Sequence, residues 1–322
     1  MTHRNRYTFY WHVICHIYFH KESFMKKIFL LVTLILTTGA MLGQNLKPYQ
    51  VSNPVEGNIL VIKQNIEEAL VSKGFEILGG YEVETKGVSY IIILTHPLII
   101  EAIQKTGGLT AMATGMKISL TQNFEEIDIA FTHPEYWGNA YFQNKYPDIQ
   151  SNIETVFIEL EKALRDCCID SFTPFGSKEG LSEKELRHYH YMFGMEYFED
   201  IVELAEITSF SEATTKIENN LKQQTDSKLI YSKEIPGKDL KIYGIQLRGE
   251  KGEGHFLPII DTEFPKHVSF LPYEILVTDK NVVMLHGRYR IALSFPDLTM
   301  TTFSKIMSTP GDIETQMQAI VK

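Results

Sequence analysis

Four short segments recur in the same order in the two halves of the chain, and this recurrence constrains the fold more than any other feature. "IEEAL" at Ile66, "MKISLTQ" at Met116, "IDIAFTHPE" at Ile127 and "IETVFIELEKAL" at Ile153 are answered by "IENNL" at Ile217, "YEILVTD" at Tyr273, "YRIALSFPD" at Tyr289 and "IETQMQAIV" at Ile313. The offsets are 151, 157, 162 and 160 residues, so the differences fall between elements rather than within them. Such a chain is expected to contain two duplicated units that pack as a pseudo-dimer within one polypeptide.

Periodicity supplies the elements of each unit. Ile62, Ile66 and Leu70 follow helical spacing, and Gly74 stands where a left-handed cap is expected. "FEILGGYEV" and "VSYIIILT" read as strands, and "PLIIEAIQKTGG" as a short helix with Pro97 in its first turn. "MKISLTQ" and "EEIDIAFT" read as a hairpin, followed by a helix from Ile153 to Leu164. In the second half "VVMLHGRYRIALSF" alternates, placing Leu285, Tyr289, Ile291 and Leu293 on one side and His286, Arg288 and Arg290 on the other. This pattern predicts one long half-buried strand. Each unit is therefore expected to be an α+β fold, an antiparallel sheet with helices on one face.

The helix ending in "KGF", the His96-Pro97 helix start, "LPYEILV" from Leu271 and the close in "SFPDL" resemble the bacterial and archaeal family of domains of unknown function numbered 302. The resemblance covers both halves and is plainest in the second. It implies a TATA-binding-protein-like fold and paired domains, and no established activity. The chain departs from the family at His96, where relatives carry a "CNP" turn, so thiol chemistry at that turn is not expected.

The address is read from the N-terminus. "MKKIFLLVTLILTTGAMLGQ" from Met25 has the basic pair, short apolar run and small residues of a secretory signal peptide, which predicts a periplasmic or secreted protein with no transmembrane span once the signal is removed. Residues 1–24 ahead of it read as a wrongly placed start, with His3, His12, His16 and His20 as an alternative metal-binding tail. The expected organisation is then a signal at 25–43, a first unit at 44–166, an aromatic helical linker at 167–200 and a second unit at 201–322. Cys167 and Cys168 rule out a disulfide framework and read as a buried reduced pair, with a redox role as the alternative. A net charge of −9 and the lack of a basic run after the N-terminus argue against a nucleic-acid partner.

Candidate sites are few, and each has a plainer structural reading. "THPEYWGNAYF" reads as a loop in which Tyr136 and Trp137 stack on a ring-shaped ligand while His133 and Asn139 supply hydrogen bonds, or as an aromatic closure of the core. His286, Arg288 and Arg290 on one strand face suit an anion, or are solvated surface. The repeat alignment sets Arg288 and Arg290 opposite Glu126 and Asp128, as ion pairs across the pseudo-dimer or as separate surface charges.

"RHYHYMFGMEYF" from Arg187 reads either as a copper site of His188, His190, Met192 and Met195, or as a helix capped by Ser182 and Glu185 whose rings pack between the units. Nucleophile elbows, zinc motifs and phosphate loops are absent from the sequence, so no catalytic residue and no cofactor are assigned. The expectation is a binding or interaction protein with a small-ligand or protein-partner site between its units. The alternative is a hydrolase built from His96, His133 and the arginine strand.

Overall fold

The computed structural model describes residues 45–85, 87–167 and 169–322. The signal segment, the histidines at positions 3, 12, 16 and 20, and Cys168 lie outside the described residues. Asn45–Lys322 forms one compact unit built on two antiparallel sheets.

The first sheet has the order β3-β4-β5-β6-β1-β7 (Glu76–Glu82, Ser89–Thr95, Met116–Asn123, Glu126–Thr132, Tyr49–Ser52, Phe172–Phe175), with β2 (Val55–Glu56) also on β6. Against it pack α1 (Ile59–Ser72), α2 (Pro97–Thr106), α3 (Pro134–Phe142) and α4 (Gln150–Asp166). A short α5 (Glu183–Leu186) leads into the second sheet, of order β8-β12-β11-β10-β9 (Ile201–Glu206, Asn281–Leu285, Tyr273–Thr278, Leu240–Leu247, Ser227–Glu234). Its helices are α6 (Phe210–Leu221), α7 (Glu253–Ile260), α8 (Gly287–Ser294), α9 (Met300–Phe303) and α10 (Thr309–Val321).

Local chemistry sets the element ends. Asn58 accepts hydrogen bonds from the Leu60 and Val61 amides to start α1, which buries Ile66 and Leu70. His96 caps α2 through the Leu98 amide, Pro97 fills the first position, and Gly107 at φ 65° ends it. In β4, Ile91 to Leu94 are all fully buried, because helices cover one face of the sheet and the other half of the molecule covers the other.

The halves meet through those inner faces. The 3-10 segment Gly108–Ala113 lies on β10 and β11, and the 3-10 segment Val268–Phe270 lies on β4, β5 and β6. Edge strands β3 and β9 also touch. A Cβ at Gly79 would stand 2.5 Å from the Ile230 carbonyl oxygen, so only glycine permits this approach.

Several expectations are corrected. "VVMLHGRYRIALSF" is not one strand: β12 ends at Leu285 and α8 starts at Gly287, with the His286 side chain accepting the Arg288 amide hydrogen bond. Helix α8 is buried on nearly every side, so no polar face marks its period. "THPEYWGNAYF" is likewise the buried helix α3 rather than a loop.

Both "THPEYWGNAYF" and "LHGRYRIALSF" therefore run from a strand end through a histidine into a buried helix, whereas the 162-residue match sets strand β6 against helix α8. The region 167–200 is not a helical linker. Phe172–Phe175 adds an edge strand to the first sheet, and the helix over the capping box of Ser182 and Glu185 ends at Leu186. Helical spacing predicts a shared face for Tyr189 and Phe193. Instead Tyr189 is buried, with its hydroxyl on the Ala292 carbonyl at 2.9 Å, while Phe193 is fully exposed.

Candidate functional site

Lys117 and Glu274 are the second residues of β5 and β11, strands that stand at corresponding places in their sheets. The inner-face packing buries both, and Lys117 Nζ meets Glu274 Oε1 at 2.7 Å. Arg290, from α8, reaches the same carboxylate at Oε2 and donates to the carbonyls of Phe270 and, at 3.0 Å, Pro272. The Tyr231 hydroxyl adds a 3.4 Å contact to Glu274 Oε1.

Burial opposes ionisation of Glu274, but Arg290 and Lys117 outweigh it and hold the carboxyl below its usual range. Burial lowers the Lys117 ammonium, Glu274 raises it and Arg290 lowers it again, leaving it below an ordinary lysine. The cluster therefore holds two cations against one carboxylate, away from water.

Beside it lies a half-open cleft with a cavity of about 30 Å³, room for about two waters. Ile99 from α2, Met112, Lys117, Trp137 and Tyr141 from the first half, and Phe270 from the second, line it. Trp137 is held by its Nε1 donating to the Pro48 carbonyl at 2.9 Å. Tyr141 stacks on Phe198 with ring centres 5.5 Å apart, and its buried hydroxyl has no hydrogen-bond partner in the protein. Burial raises the Tyr141 phenol, so it remains a donor, and it lies within the field of Arg290 and Glu274.

A second buried acid joins the halves elsewhere. Glu253 opens α7 at zero exposure, accepts the Tyr81 hydroxyl from β3 at 2.9 Å, and has Oε2 without a partner. Burial pushes its carboxyl up to about 8.

The residues expected to form a site do not converge. Only Trp137 lines the cleft, with Arg290 in the cluster next to it. His96 caps α2 and packs on Phe75. His133 packs on Phe157, with burial pushing it down to about 4. The Tyr136 hydroxyl donates to the Leu293 carbonyl, and Asn139 bonds Glu135 and Arg187. His286 and Arg288 face Glu196 at 3.5 and 3.2 Å.

The pairing of Arg288 and Arg290 with Glu126 and Asp128 is not formed. Arg290 serves Glu274, Arg288 serves Glu196, and Asp128 accepts from Asn123, because the two arginines ride on a helix and not on the aligned strand. His188 and Met192 are exposed, His190 packs on Tyr197, and Met195 lines an apolar hollow beside Arg288. Among the described residues no three histidine, cysteine or carboxylate side chains gather as a ligand set. No helix among them is long and apolar enough to cross a membrane.

Lys117, Glu274 and Tyr141 were missed as site residues. A signal for the first two was present: in the segments "MKISLTQ" and "YEILVTD" the same position carries opposite charges inside strands β5 and β11, which are otherwise uncharged.

No family model and no curated protein matches the chain. Among solved structures it is similar to an uncharacterized conserved DUF302 protein from Bacillus stearothermophilus, at 16% identity and a TM-score of 0.33, over 37% of this chain and 97% of that one.

Proposed function

We propose that this is an exported binding protein whose small-ligand site is the cleft between two duplicated α+β units, at about 44–166 and 201–322, packed as an internal pseudo-dimer. Several features support the duplication. Apart from the short β2 and the edge strand β7 of the first half, both halves run strand, helix, two strands, helix, two strands and helices, and the five strands so matched take the corresponding order in both sheets. The 3-10 segments lie reciprocally on each other's sheets, and Lys117 meets Glu274 from matching strand positions. Membership of the DUF302 family rests on the sequence resemblance, and export on the segment from Met25.

The observation that carries the binding reading is an apolar cleft with a few converging polar groups, one of them a buried hydroxyl without a partner. A chain beginning at Asn45 contains Trp137 as its sole tryptophan, so ligand entry is expected to change its fluorescence. A small-molecule panel should include members that shift both emission and melting temperature, and Ala113→Leu, which fills the cleft, should abolish the response. A response unaltered by Ala113→Leu would reject the cleft. N-terminal sequencing of the mature protein tests export, and a start before Met25 in the purified protein would reject the signal reading.

A further inference from the structure

We propose that the cleft takes a small monocarboxylate, its head group against Lys117 and Tyr141 and its apolar body along Ile99, Met112 and Trp137. The proposal rests on the binding reading and names its ligand class.

Charge supplies the first reason. Lys117 and Arg290 face the single carboxylate of Glu274, so the buried cluster carries one positive charge in excess, and one monoanion would balance it. A dianion such as phosphate would overshoot and demand more donors than the cleft offers.

Donor count supplies the second. The terminal nitrogens of Arg290 are committed to Glu274 and to the Phe270 and Pro272 carbonyls, and only its buried Nε is left without a hydrogen-bond partner. Lys117 Nζ makes one hydrogen bond, to Glu274, out of the three that an ammonium can donate. The Tyr141 hydroxyl makes none, although Tyr141 is only 3% exposed. A buried donor without a partner costs free energy in the folded protein, and a carboxylate oxygen would relieve that cost.

Size and polarity supply the third. A cavity of about 30 Å³ matches a carboxylate head group rather than a sugar or nucleotide. Ile99, Met112 and Trp137 around it suit an alkyl or aryl body. Methionine is the side chain that adjusts most readily to such a body.

The test is fluorescence titration of Trp137, at low chloride, with acetate, butyrate, hexanoate and benzoate and with the matching neutral amides. Carboxylates should bind about tenfold or more tightly than their amides, the worth of a charge-assisted hydrogen bond, with affinity rising along the alkyl series. Lys117→Met leaves Arg290 and Glu274 as a neutral pair and should erase the preference for carboxylate over amide. Tyr141→Phe should weaken carboxylate binding by about threefold to tenfold without lowering the melting temperature, because the hydroxyl it removes has no partner to lose.

Equal binding of acids and amides by the wild type would overturn the carboxylate assignment and leave the cleft standing as an apolar site. A preference surviving both substitutions would overturn the roles of Lys117 and Tyr141. Absence of binding by every acid and amide would overturn the assignment, while responses to other panel members would still uphold the cleft. Should Lys117→Met fail to fold, Tyr141→Phe alone decides the head-group contact.

Discussion

Helices α3 and α8 stand at the same place in the two halves, yet one borders an open cleft and the other fills the junction. Each follows a strand and a histidine at the N-cap position, His133 or His286, of which only His286 accepts a capping hydrogen bond, and each carries a tyrosine three residues on, Tyr136 or Tyr289. The next residue differs. Trp137 stays at the rim of the cleft with its indole tied to the Pro48 carbonyl. Arg290 drives inward to Glu274 and to two backbone carbonyls. Gly138 lines the first cleft, while Ile291 stands at its counterpart. The helix after one hairpin thus borders the cleft with Trp137, while the helix after the other sends Arg290 into the buried ion cluster.

Replacing the plug should have the largest effect. Arg290→Met strands the Phe270 and Pro272 carbonyls and removes one ion-pair partner, an expected loss of about 3–5 kcal/mol in chemical denaturation. Trp137→Phe, which forfeits one bond from a half-buried ring, should cost about 1–2 kcal/mol. Equal losses would show that the two positions carry the same load and would break the comparison.

The helices before them differ in the same spirit, α2 opening at Pro97 and α7 at the buried Glu253. Burial raises Glu253 from 4.5 to about 8, so the folded protein keeps a proton that the unfolded chain releases. Its contribution to stability is therefore complete below pH 4.5 and declines up to about pH 8, at about 1.4 kcal/mol per pH unit. Glu253→Gln should flatten that decline in denaturation curves taken across the range. An unchanged slope would assign the pH dependence to other groups.

The smallest contrast is between the two tyrosines. Tyr136 donates to the Leu293 carbonyl at 2.9 Å, whereas the buried Tyr289 hydroxyl has no partner. Tyr136→Phe should cost about 1 kcal/mol and Tyr289→Phe about nothing, or a slight gain in melting temperature. The reverse order would mean that the hydroxyls are placed the other way round.

Strands and helices with a solvated face are legible in the amino-acid sequence. Helix α1 declared itself through Ile66, Leu70 and Gly74, and α2 through His96 and Pro97. Helix α8 did not, because Tyr289 through Ser294 are all buried and a helix buried all round shows no 3.6-residue polarity. Its alternation of large and charged residues then imitated a strand, and that misplacement sent Arg288 and Arg290 toward the wrong partners. The aromatic stretch after Arg187 failed for a related reason. Tyr189 turns inward to bond the Ala292 carbonyl, and this tertiary contact overrides the helical spacing.

The amino-acid order by itself determined the strands and helices that keep a solvated face, the caps that begin and end those helices, and the apolar run of β4. Those are local properties, written in the spacing of neighbouring residues. The tertiary structure alone decided that Lys117, Glu274 and Arg290 share one buried site, that the Tyr141 hydroxyl is left without a hydrogen-bond partner, and that Trp137 lines the cleft beside Lys117. The physical reason is that a buried charge needs an opposite charge brought from elsewhere in the fold. Here it comes from 157 residues away, a distance over which no local pattern carries information.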